Sequence, residues 1–178
     1  EEAQAASGPG GVAVAADGTV YVTAGVAGGE LLKLDAAGGV AGRVATGHTP
    51  VSPVVSPDGK TVYVLNRFDN TVSVVDAARM AVAGTVAVLR EPHAAALGAG
   101  GRLLFVANHL PYCRATDDTV AASVSVIDTA SRKVQRHVML PHGQTGVRGA
   151  GASSGGKAAY VTTKLGRSHT PTTHVRRA

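Results

Sequence analysis

One short apolar segment recurs four times along this chain, and its spacing limits the available folds more than any other feature. The copies are TVYVTAG (Thr19–Gly25), TVYVLNR (Thr61–Arg67), LLFVANH (Leu103–His109) and AAYVTTK (Ala158–Lys164). Tyr21, Tyr63 and Phe105 lie 42 residues apart. Tyr160 follows Phe105 by 55, so the third unit carries a 13-residue expansion. A turn sequence precedes each copy: ADG (Ala16–Gly18), PDG (Pro57–Gly59), AGG (Ala99–Gly101) and SGG (Ser154–Gly156). Gly and Asp suit such hairpins because they tolerate the positive φ that tight turns require. Another apolar run stands ahead of each turn (GVAVA, SPVVS, AAALG, AGASS). A third strand ends in Asp35, Asp76 or Asp128, and a fourth follows (GRVAT, GTVAV, QRHVML).

Four strands in each 42-residue unit, repeated, is the pattern of β-propeller blades. Val62, Tyr63, Val64 and Leu65 are apolar at consecutive positions, whereas a half-exposed strand would alternate. Stacking of blade on blade explains this, since it buries both faces of a sheet. A β-sandwich accounts for strands every 8–12 residues or so but not for the long-period self-similarity. The expected architecture is therefore all-β: a β-propeller of four-stranded antiparallel blades, with about 3.5 blades present. Residues 1–7 form a tail, blades span about 8–50, 51–92 and 93–146, and an incomplete blade covers 147–178. Propellers close on themselves with about four to eight blades, so a fragment of a larger ring is expected. A four-bladed ring and a half-ring completed by a second chain are the alternatives.

YVTA, YVLN, FVAN and YVTT, with SPDGKTVYV upstream and TVSVVD downstream, resemble the YVTN-repeat β-propellers of bacteria and archaea. The resemblance runs from about Gly8 to Thr163, with Ala24 and Thr163 standing where the middle copies have Asn66 and Asn108. It implies a seven-bladed ring and an exported protein, placed in the periplasm, outside the cell or on its surface. Some relatives join such a propeller to a c-type haem, peroxidase-like domain. The ANHLP…VSVID insertion and the LPHG…RG loop are similar to theirs.

Composition narrows the classes further. Hydrophobic residues make up 44% and charged residues 16% of the 178, which excludes a disordered tail. Cys113 is the only cysteine, so neither an internal disulfide nor a C-x-x-C-H haem attachment is present in these residues. No apolar run approaches the roughly 20 residues of a membrane helix. The net charge of +5 hides a split. Glu1 to Asp128 carries 8 Lys/Arg against 12 Asp/Glu, while Thr129 to Ala178 carries 9 Lys/Arg and no acidic residue. Nucleic acid is disfavoured as a partner, because Tyr160 is the only stacking aromatic in that basic segment. A solvated basic face with an acidic complement elsewhere is the alternative.

Propeller topology gathers two sets of loops on one face. Connections from a fourth strand to the next first strand contain His48, His93, and His142 with Arg148. Loops between second and third strands contain Asn66, Arg67 and Asp69 in the second unit. The third unit supplies Asn108, His109, Cys113, Asp117 and Asp118, and the last supplies His169 and His174. Six of the seven histidines thus fall on one expected face, and His137 lies in a strand. Imidazoles converging there, His48, His93 and His142 first, can bind a transition metal or contact a haem or substrate. The other reading makes them hydrogen-bonding residues at loop corners, with no cofactor in this chain. The 13-residue expansion is the best candidate for a specific binding loop. A Cys113–His109 nucleophilic pair lacks a group to orient the histidine. GQTGVRG (Gly143–Gly149) lacks the Lys-Ser/Thr ending of a phosphate loop.

Three functions stay open at this level. The first is a non-enzymatic scaffold presenting loops to a protein or ligand, its partner a protein or the remaining blades of the same propeller. The second is the propeller portion of a periplasmic redox protein linked to a haem domain. The third is a hydrolase of the lactonase kind, which needs metal-binding carboxylates that GVAVA, SPVVS, AAALG and AGASS lack. The first is favoured, because no acid–base pair recurs at a fixed spacing.

Overall fold

The computed structural model describes residues 10–25, 28–114, 120–153, 155 and 158–165. The first sheet is a meander of β1 (Gly11–Val14), β2 (Val20–Ala24), β3 (Glu30–Leu34) and β4 (Val40–Ala45). The second contains β5 (Pro50–Val55), β6 (Thr61–Asn66), β7 (Thr71–Asp76) and β8 (Ala81–Ala87). The third contains β9 (Pro92–Gly98), β10 (Leu103–Asn108), β11 (Ser123–Asp128) and β12 (Lys133–Met139), with a 3-10 turn at Ala99–Gly101. A two-stranded sheet of β13 (Thr145–Ala152) and β14 (Ala159–Leu165) follows. Among the described residues the strands make three full blades and half of a fourth, as the repeat predicts. Among the described residues, no helix is long and apolar enough to cross a membrane.

The chain divides into two compact units, 1–85 and 86–178. In the first, Tyr21 and Leu31 of the first sheet share a buried cluster with Val62, Val64 and Val75 of the second. In the second unit, Phe105, Val124 and Val126 of the third sheet cluster with Val147 and Val161 of the two-stranded sheet. The same rule governs both. The aromatic side of one sheet packs on the valine side of the next, because strand residues alternate between faces. Tyr63 and its neighbours Val62 and Val64 therefore point to opposite faces and are all buried. Burying a large apolar side chain stabilises by about 1.5–3 kcal/mol, so these contacts dominate the packing.

The recurring Asp closes the turn after the third strand. Asp35 Oδ1 accepts the N–H groups of Ala37 and Gly39 at 2.9 and 2.8 Å. Asp76 Oδ1 accepts those of Ala78 and Arg79 at 3.0 and 2.9 Å, and Asp128 Oδ1 accepts that of Ser131 at 2.8 Å. Such bonds nucleate a turn that competes with further extension of the strand. The donated backbone N–H of Arg79 holds the Asp76 carboxyl below the usual carboxylate range, and that of Ser131 does the same for Asp128. A depressed folded-state pKa means that the stabilisation is present above the unfolded value of about 3.9. It is lost as pH falls through the folded value. Asp76→Ala is expected to lower the melting temperature at pH 7, with the gap to wild type closing in melts run towards pH 2. A gap that stays constant with pH would contradict this role.

Candidate functional site

In the second blade the site begins with Asn66, the last residue of β6. Its Nδ2 donates to Thr71 Oγ1 and Ser73 Oγ, both at 2.9 Å, and its Oδ1 accepts the Gly47 N–H at 3.0 Å. The next residue of the β4–β5 connection joins the same clamp, as the His48 N–H donates to Asp69 Oδ2 at 2.7 Å. A Cβ on Gly47 would run into both the Asp69 carboxylate and the Asn66 side chain, so only glycine fits. Thr49 then takes a left-handed backbone, φ 50°, although it precedes Pro50 and would otherwise be extended. Its carbonyl accepts the Arg67 N–H at 3.1 Å, which holds the connection against the β6–β7 turn.

This clamp leaves one large apolar side chain in solvent. Phe68 is 50% exposed, with the Arg67 guanidinium 5.2 Å over its ring centroid. The His48 ring meets it edge-on at 5.3 Å and 62°. Phe68 is thereby an aromatic braced on two sides, the geometry of a cation–π and edge-to-face contact.

The third blade repeats the plan with one difference. Asn108 Nδ2 donates to Ser123 Oγ at 3.1 Å and Ser125 Oγ at 2.9 Å, and Ser125 Oγ in turn bonds His137 Nδ1 at 3.0 Å. Glu91, before Pro92, adopts φ 53°, and its carbonyl accepts the His109 N–H at 2.8 Å. The position 42 residues after Gly47 is Leu89, and among the described residues the buried Asn108 Oδ1 has no hydrogen-bond partner. His109 Nδ1 lies 2.8 Å from the Val147 carbonyl. A carbonyl only accepts, so Nδ1 carries a proton and donates it here. The His93 ring stands 5.2 Å away, tilted by 44°. His142 has the opposite arrangement, its Nδ1 accepting the Val120 N–H at 3.2 Å. Its lone pair is thus used in closing the long loop.

Several expected site residues sit elsewhere than foreseen. Asn66 and Asn108 are not presented on a loop face: they end β6 and β10 and are 2% and 0% exposed. Their amides satisfy buried hydroxyls on the neighbouring strand, which a surface position would waste. His93 is not in a connection, since β9 already begins at Pro92. Arg148 lies inside β13, exposed, because the register shift between Val147 and Gly149 lets the strand continue as a bulge. His48, Arg67 and Asp69 come together in one cluster, and His93 and His109 in another. Asp117, Asp118, His169 and His174 lie outside the described residues. Among the described residues, no three His, Cys, Asp or Glu side chains form a group able to hold a metal. Phe68, Gly47 and the 65% exposed Tyr112 were not singled out from sequence. An aromatic inside an otherwise polar turn, NRFDN, was the available signal for the first.

No family model matches the sequence, and no curated protein is similar to it. Solved structures are similar in fold. The WD40 repeats of RRP9 superpose with a TM-score of 0.73 at 16% identity, over 96% of this chain and 51% of that one. U3-55K gives 0.72 at 14% identity, over 96% and 52%. Hydrazine synthase of Kuenenia stuttgartiensis gives 0.55 at 20% identity, over 96% and 60%. The chain is a β-propeller of about three and a half blades. It spans between half and three-fifths of the length of these structures.

Asn66→Ala removes three hydrogen bonds at once and leaves the Gly47 N–H and two hydroxyls without that partner. The expected cost is about 1–3 kcal/mol, read as a lower denaturant midpoint at unchanged m-value. A midpoint equal to that of wild type would show that the amide does not lock the loop.

Proposed function

We propose that this chain is part of a seven-bladed propeller of the YVTN-repeat kind, serving as a non-enzymatic platform that binds a protein partner through its loops. The observation that carries this reading is how the side chains in and beside the loops are used. Asn66, Asp69 and Asn108 are engaged in internal hydrogen bonds, while Phe68 and Tyr112 are held out to solvent. A braced aromatic beside an arginine is the composition of an interface anchor, and a rigid loop loses little entropy on binding. The strands that open each blade, β1, β5, β9 and β13, contain no Asp or Glu, so these strands supply no carboxylate to a hydrolytic reading. An exported location follows from the same family resemblance.

A photo-crosslinking amino acid in place of Phe68 is expected to capture a discrete protein adduct in cells that make this chain. The same group in place of the exposed Lys60, in the turn at the other end of the second sheet's strands, is expected to capture none. Equal adducts at both positions, or none at either, would contradict the platform reading.

A further inference from the structure

We propose that His93 and His109 together hold a late first-row transition-metal ion, copper in preference to zinc, at the end of the third sheet where β9 begins. This goes beyond the loop-binding reading and does not depend on it.

The repeat supplies the first reason. The residues 42 positions before His93 and His109 are Val51 and Arg67, and 42 before those stand Pro9 and Gly25. The residues 55 positions after them are Arg148 and Lys164. The third unit alone has an imidazole at either place, so the stacking of sheets does not call for one. The local backbone also departs from plain pairing. Ala107 pairs with Ala94 and Asn108 with Pro92, so the register steps over His93. A bulge of this kind re-aims a side chain. Here the His93 ring comes to lie beside that of His109, the residue that follows β10.

The geometry of the two rings is the second reason. Their centroids are 5.2 Å apart and their planes tilted by 44°. With metal–nitrogen bonds of about 2.0–2.1 Å, two imidazoles on one ion at roughly 90–110° have centroids about 4.5–5.3 Å apart. His109 is oriented as a ligand would be. Its Nδ1 donates to the Val147 carbonyl at 2.8 Å, the kind of outer contact that fixes a metal-binding imidazole. Coordination by His109 therefore falls to Nε2. Both residues are half-buried, open enough for an ion to enter. Among the described residues, no three His, Cys, Asp or Glu side chains form such a group, so water or a small exogenous ligand completes the coordination. Imidazole nitrogens without thiolate or carboxylate suit copper, and the affinity of such a site is higher for Cu2+ than for Zn2+. His48 and His142, expected beside His93 from sequence, take no part. His48 packs on Phe68, and His142 Nδ1 accepts the Val120 N–H.

Copper titration of the full chain, stripped of metal with a chelator, tests the site. Wild type is expected to bind one Cu2+ more tightly than any further equivalent, and Zn2+ more weakly at the same place. The pulsed electron paramagnetic resonance spectrum of that first equivalent is expected to show coupling to two imidazoles. His93→Gln and His109→Gln are each expected to weaken it about tenfold or more, since even lost supporting contacts cost a metal site that much, and to leave one imidazole in the spectrum. His137→Gln, in β12, is expected to change neither readout. Circular dichroism melts establish that the variants are folded, and the wild-type spectrum needs no variant at all. A wild-type spectrum with one imidazole or none would overturn the proposal, as would either substitution at His93 or His109 that binds copper as tightly as wild type. A loss at His137→Gln equal to theirs would overturn it too, by placing the ion elsewhere.

Discussion

A four-stranded sheet that is apolar on both faces has no stable place in water until both faces are covered. The packing of an aromatic-bearing face on a valine face meets that requirement, and the remaining structure is arranged around it. Tyr21 and Leu31 meet Val62, Val64 and Val75 in one unit, and Phe105 meets Val161 in the other. Each buried side chain is worth about 1.5–3 kcal/mol, against about 0.5–1.5 kcal/mol net for a hydrogen bond. Burial therefore decides that sheets stack, and hydrogen bonds decide how the chain turns between strands.

The loops show what the second term can do once the first has fixed the sheets. Thr49 and Glu91 both take a left-handed backbone before a proline, a strain of about 1–3 kcal/mol each. It persists because the carbonyl of each is held by an N–H from the residue after the buried Asn, Arg67 in one blade and His109 in the other. The connection is thereby fixed to the neighbouring turn. A fixed connection can carry an exposed aromatic such as Phe68 at little entropic cost, which links the strain to the proposed binding role.

The repeat was legible because burial on both faces writes itself as consecutive apolar residues, and the Asp at the end of each third strand marks a turn in the sequence and in the structure alike. Proline and glycine were less reliable guides. Pro92 reads as a loop residue but opens β9, carrying His93 into the sheet, and Gly146 and Gly149 flank a bulge that leaves Arg148 within β13. Asn66 and Asn108 read as surface residues because they are polar and sit beside loops. Only the register reveals that each faces hydroxyls on the next strand. The Phe68 brace was hidden for a similar reason, since His48 lies 20 residues away and reaches the ring only through the clamp on Gly47.

Native-state hydrogen exchange on a Tyr21→Ala variant tests the stacking account most directly. Exchange follows the free energy of the cooperative unit to which each amide belongs. If the aromatic–valine contact joins the first two sheets, amides of β6 and β7 are expected to lose protection together with those of β2. Loss confined to β2 and its immediate partners β1 and β3 would contradict the account, because it would mean that each sheet is stable without the face it packs against.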